Sequence, residues 1–270
     1  MSSWRSSTQK QYTTYIKRWF EYCTEHQYNP FDSPVNIAVQ FLTSLYEQGL
    51  SYSCINTARS ALSCIFQLTN NDISFGDLPV VRRFMRGIFQ LRPALPKYNA
   101  VWNVHTVFNF IRSCQTVDQL NLKDLTLRLT FLLSLLSAQR RQTIKALRID
   151  SMDITPAYIF PIVDMLKQSR PGFHQEPIRY EKYVADPRLC IYTHLKEYIA
   201  RTKSIRGGIQ QLLISHSRPH LVAASETISR WCKQVLTLAG IDTAKYKGHS
   251  TRAASTSLLG NPAELIYYNY

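Results

Sequence analysis

Four side chains in the second part of the chain are of the types that grip a phosphate group. Arg140 stands in SAQRRQTIKALR, at the end of the most apolar run of the sequence. A guanidinium there is costly unless it meets an anion or a carboxylate. Lys167 opens KQSRPGFHQE, which carries the turn signal Pro171-Gly172 and is expected at the tip of a hairpin. His249 and Arg252 stand three apart in GHSTRAAS, at a helix start, and so share one face. A helix N-terminus itself attracts anions. Arginine donates two hydrogen bonds to phosphate oxygens from a planar fork and stays charged. Such donors stabilise the extra negative charge of a pentacovalent phosphorus transition state, and a lysine on a hairpin can protonate a leaving oxygen. Each residue alone has a plainer use: Arg140 as a solvated helix end, Lys167 as a turn lysine, His249 as a helix cap, Arg252 as a surface ion-pair partner. The reading rests on the four together.

The elements that must position them read as mainly helical. In SSTQKQYTTYIKRWFEYCTEH, the residues Tyr12, Tyr15, Ile16, Trp19, Phe20 and Cys23 recur at spacings of three and four, the period of an amphipathic helix. A second helix runs from about Val35 to Gly49, a third from Ser53 to about Leu68, and a fourth, PVVRRFMRGIFQL, begins at Pro79. Four helices in under a hundred residues make a small bundle. The two prolines of RPALPKYNAVW interrupt any helix. They place a boundary near Lys97 and divide the chain into residues 1–97 and 98–270. The second part opens with helices over about 104–114 and 122–138, and LTLRLTFLLSLL reads as its buried central helix. YIFPIVDML and PIRYEKYV read as two strands of a small hairpin or sheet, and QLLIS as a short extended segment. RLCIYTHLKEYIART, SETISRWCKQVLTLAG and HSTRAASTSLL read as further helices, with Gly240 past the end of the second.

Composition narrows the partners. The chain has 270 residues, 45% of them hydrophobic and 19% charged, enough to bury a core and too apolar for disorder throughout. Lys and Arg total 32 against 18 Asp and Glu, a net charge of +14. Residues 1–97 carry 10 and 6 of these, so both parts are basic. A polyanion, nucleic acid first, is the expected partner. No window approaches the roughly 18 apolar residues of a membrane helix, and MSSWRSSTQKQY lacks the apolar stretch of a secretory signal. The six cysteines form no CxxC pair. They read as reduced thiols of an intracellular protein, with no metal or cofactor expected.

In these segments the sequence resembles the tyrosine recombinases, the phage-integrase-like family, of the type found in mobile elements of animal genomes. The stretch from SSTQKQYTTYIKRWFEYC to VNIAVQFLTSLYEQGLSYSCINTARSALSCIF is similar to the family's helical core-binding, SAM-like bundle. VRRFMRGIFQLRPALPKYNAVWNV resembles the junction into an α+β catalytic domain. SAQRRQTIKALRIDSMDI resembles the first catalytic-arginine motif, and counting back from ALR lands on Arg140 rather than Arg141. LKQSRPG resembles the hairpin of the catalytic lysine, here Lys167, and GHSTRAAS the His-x-x-Arg motif, here His249 and Arg252. The resemblance implies binding of double-stranded DNA, strand exchange through a 3′-phosphotyrosyl link, self-association or assembly with full-length subunits, and a place in the nucleus. It also implies a nucleophilic tyrosine on helices after His-x-x-Arg. Tyr267, Tyr268 and Tyr270 come sooner than the pattern asks, so a C-terminally incomplete catalytic domain with little or no cleavage is expected. A non-catalytic DNA-binding remnant is the alternative. A basic RNA-binding or scaffolding protein is another, given the 12% aromatic content.

Overall fold

The computed structural model describes residues 4–66, 73–94, 101–166, 169–170, 172, 175–246 and 250–259, apart from the side chains at 252 and 256–259. The chain forms two compact units, Met1–Lys97 and Tyr98–Tyr270.

The described residues of unit 1 form four α-helices: α1 (Ser6–Glu25), α2 (Val35–Glu47), α3 (Tyr52–Phe66) and α4 (Pro79–Leu91). The three-and-four spacing of α1 delivers Trp19 and Cys23 to the interior, where both are fully buried. Trp19 meets Phe41 of α2 edge-on at 5.3 Å and donates its indole N–H to the Pro30 carbonyl at 2.9 Å, which satisfies the polar end of a buried ring. Gly49 ends α2 at φ +86°, a conformation open to glycine without strain. Arg92, just past α4, donates to the carbonyls of Tyr46 and Leu50 and lies 4.1 Å over the Tyr46 ring. A cation thus closes the carbonyl end of α2. The third helix is described as far as Phe66, and the expected extension to Leu68 lies outside the described residues.

Unit 2 contains α5 (Val104–Ser113), α6 (Leu122–Leu136), α7 (Arg141–Lys145), α8 (Ile191–Thr202), α9 (Ser225–Leu238) and α10 (Ser250–Leu259). Every residue of α6 from Leu125 to Leu135 is buried, as a helix apolar on all sides requires. Asn121 caps its start, its side chain accepting from the Asp124 N–H at 2.9 Å. The polar groups α6 carries inward are held locally: Arg128 donates to the Gln115 carbonyl and Ser134 to that of Thr130. Helices α8, α9 and α10 all pack on α6.

A three-stranded antiparallel sheet of order β1-β2-β3 joins Asp153–Ile154, Tyr158–Phe160 and Ile178–Tyr180. Tyr158 and Phe160 are buried, as are Ile178 and Tyr180, while Arg179 between the latter two is exposed, the alternation of a half-buried sheet. The two expected strands therefore pair as a hairpin, but the first is much shorter than YIFPIVDML. Pro161 has no N–H to donate and ends the ladder. The fold is mainly helical with one small sheet.

Candidate active site

Arg140 does not sit on the last turn of the long apolar helix. α6 ends at Leu136, and Ser137 turns its hydroxyl back to the Leu133 carbonyl. Ala138 then adopts φ +50°, a left-handed conformation that costs a residue bearing Cβ about 1 kcal/mol. This corner separates α6 from α7 and leaves Arg140 extended, at φ −69° and ψ 146°, as the residue before the helix. Its carbonyl accepts from the Ile144 N–H at 3.1 Å and its side chain is exposed. Arg141 differs: its charge helps to lower the pKa of the Cys232 thiol on α9, which burial nevertheless pushes up to about 11.

Two anchors hold the corner. Thr143, Ile144 and Leu147 are buried. Beyond them Leu147 accepts from Leu212 at 2.7 Å and Ile149 donates to Gln210 at 2.8 Å, so QLLIS is extended and pairs with the chain that leaves α7. Tyr198 clamps the far end of that segment: its hydroxyl donates to the Ile214 carbonyl and accepts from the Ile214 N–H, at 3.3 and 3.0 Å. On the sheet side, the fully buried Tyr180 hydroxyl is pushed far up in pKa by burial, with the Ser137 hydroxyl pulling the other way. The strand leaving the hairpin thus ends beside the corner that precedes Arg140.

Lys167 lies outside the described residues, and so does His249. Their immediate neighbours are placed. Leu166 is buried, its N–H donates to the Ser169 hydroxyl and its carbonyl accepts from the Ser169 N–H, both at 2.9 Å. Ser250, next to His249, is buried at the start of α10 and accepts from the Trp102 indole at 3.1 Å. Arg252 is on α10, and its side chain lies outside the described residues. Thr251, Ala254 and Ser255 around it are buried. Arg140 therefore follows α6, and Arg252 is carried by a helix packed on α6. Tyr267, Tyr268 and Tyr270 also lie outside the described residues.

Among the described residues no group of three His, Cys, Asp or Glu could hold a metal ion. Among the described residues the fully buried histidine is His194, a core residue: burial lowers its pKa to about 4, and one ring nitrogen lies 2.8 Å from the Cys190 carbonyl. His216 is held below its ordinary value first by burial, then by Lys123 and Arg230. What the described part of the site offers chemically is cationic and hydrogen-bonding, which suits an anionic ester. Trp102 and Ser250 were not legible as positioning residues, since they meet across 148 positions of sequence. The arginines of α3 and α4 were passed over too. Arg82, Arg86 and Phe89 at i, i+4 and i+7 were the available signal.

No family model matches the chain, and no curated protein matches it. Solved structures do match it in fold. The lambda integrase fragment 75–356, seen as a dimer bound to a COC′ core site, is 15% identical, with 99% of this chain and 89% of that one covered at a TM-score of 0.54. The XerH site-specific recombinase, in a post-cleavage complex with a palindromic difH substrate, is 16% identical over 96% of this chain and 71% of that one, TM-score 0.63. The Tn1549 transposon integrase, in complex with transposon right end DNA, is 14% identical over 88% and 77%, TM-score 0.55. These structural neighbours are tyrosine recombinases and integrases, and the architecture described above is theirs.

Proposed function

We propose that this protein acts on double-stranded DNA in recombination or integration, with its active site in unit 2. The observation that carries the reading is the fold likeness itself, which runs through both units to 99% of the chain and recurs with recombinases printed as DNA-bound complexes. The excess of basic charge in both parts supports it, because neutralised phosphates supply most of the affinity of such proteins.

In this reading unit 1 is the core-binding domain and unit 2 the catalytic domain. Arg140 and Arg252 donate to the non-bridging oxygens of one scissile phosphate, and His249 donates beside them. Lys167 protonates the 5′ oxygen as it leaves a tyrosine-linked 3′ phosphate. The nucleophile is sought among Tyr267, Tyr268 and Tyr270. It must come within about 3–3.5 Å of phosphorus, in line with the leaving oxygen. The neighbour seen as a dimer supports self-association on DNA. A mobile element of an animal genome is the proposed setting, with the work done in the nucleus.

Two assays test the reading. Duplex affinity should fall steeply between 50 and 200 mM salt, by about a thousandfold if some six phosphates are contacted. A flat response would remove phosphate neutralisation as the binding mode. Incubation with a nicked suicide duplex reads the second half. A covalent adduct lost on Tyr267→Phe, Tyr268→Phe or Tyr270→Phe would place the nucleophile at that residue, and no adduct would leave this chain a DNA binder without cleavage.

A further inference from the structure

Unit 1 holds a second concentration of cationic side chains, between α3 and α4. A groove of about 460 Å³ there is lined by Tyr52 and Arg59 from α3 and by Arg82, Met85, Arg86 and Phe89 from α4. No ion pair joins any of these three arginines to a carboxylate among the described residues. Arg59 has its Nε buried without a hydrogen-bond partner, over Gly76, where an added Cβ would come within 3.4 Å of it. Three guanidinium groups facing one groove repel each other until an anion enters. The other wall is of a different kind. Phe89 is 46% exposed, and its ring meets Tyr52 edge-on at 5.2 Å, so a large apolar face is left to water beside the cations.

We propose that this groove binds a single nucleotide unit, its phosphate on Arg82 and Arg86 and its base against Phe89, Tyr52 and Met85. The volume lies within the roughly 300–1,000 Å³ of small-ligand sites. Neither an anion alone nor an apolar segment alone would use both walls. Guanidinium groups favour phosphate, and every nucleobase has a flat face that stacks on an aromatic ring. The same chemistry is offered by a free nucleotide and by an unpaired nucleotide within DNA. The site is separate from the residues assigned above to catalysis and does not depend on them.

The full chain is titrated, by fluorescence anisotropy, with a duplex carrying one bulged thymidine and with the fully paired duplex of the same sequence. Thymidine 5′-monophosphate is titrated separately by calorimetry. The bulged duplex is expected to bind about fivefold tighter or more, the low end of what one stacked base contributes. Phe89→Ala should abolish that preference while leaving paired-duplex affinity unchanged, and Arg86→Gln should weaken binding of the bulged duplex. Phe89 is exposed, so its loss leaves the core intact. Binding of the free nucleotide that both variants weaken, without a preference for the bulge, supports the site and assigns the free nucleotide as its occupant. No preference and no nucleotide binding overturns the proposal, as does a preference that survives Phe89→Ala. Paired-duplex binding absent from every titration would instead remove the DNA reading of the whole protein and leave the nucleotide result standing on its own.

Discussion

The indole N–H of Trp102 donates to the Ser250 hydroxyl across 3.1 Å, in the interior of unit 2. Trp102 precedes α5, the first helix of the unit, and Ser250 begins α10. The bond ties the first described turn of α10 to the segment that leads into α5.

Replacing Trp102 by Phe removes the donor and shrinks a ring that is 4% exposed. A loss of about 1–2 kcal/mol in unfolding free energy is expected. Urea denaturation measures it. Duplex affinity should fall beyond what the stability loss explains if α10 carries phosphate contacts, and a change confined to stability would restrict Trp102 to packing.

Tyr198→Phe tests the clamp on the extended segment. Its hydroxyl serves both the N–H and the carbonyl of Ile214 in the core. Without it two buried backbone groups lose a partner at once, and a cost of about 2 kcal/mol is expected by chemical denaturation. A cost below about 0.5 kcal/mol would mean that other groups satisfy Ile214.

The corner before Arg140 makes a signed prediction. Ala138→Val places a β-branched side chain at φ +50° and should destabilise by about 1–2 kcal/mol. Ala138→Gly should be neutral to within about 0.5 kcal/mol, because relief of strain offsets the entropy added to the unfolded chain. Equal effects of the two would show that the left-handed corner is not what the sequence must accommodate.

His194 links stability to pH. Burial is the main reason its pKa falls to about 4, with the nearby charge of Arg128 acting the same way and the Cys190 carbonyl opposing. The unfolded chain, titrating near 6.5, binds the proton that the folded chain refuses. The stability contributed by neutral His194 is therefore complete above about pH 6.5 and declines as pH falls toward 4, by about 3 kcal/mol in all. Unfolding curves at pH 7 and 4.5, compared between the native chain and His194→Leu, should show a shallower decline in the variant. Parallel declines would assign the acid sensitivity elsewhere.

Much of this architecture is readable one helix at a time. The spacing of Trp19 and Cys23, proline at the start of α4, and glycines past the ends of α2 and α9 are local signals with local causes. The all-apolar run of α6 likewise announces a helix buried on every side. Other features have no local signature. The left-handed residue Ala138 is not a glycine, so the sequence suggests a longer helix with Arg140 on its last turn. The strand Asp153–Ile154 is too short to show alternation, and its pairing with Tyr158–Ile159 is a property of the folded chain. The proposed site residues were singled out by type, order and resemblance. Trp102 and Ser250, which join the start of unit 2 to α10, were not, because nothing in a linear reading brings positions so far apart together.

Under the proposed function Arg140 and Arg252 serve one phosphate. A double-mutant cycle on duplex affinity, using Arg140→Ala, Arg252→Ala and the pair at one salt concentration, tests it most directly. Shared contact predicts strong coupling, with the double variant losing at least about 1 kcal/mol less than the two single losses combined. Losses that add to within about 0.5 kcal/mol would place the two arginines on separate phosphates and contradict the account.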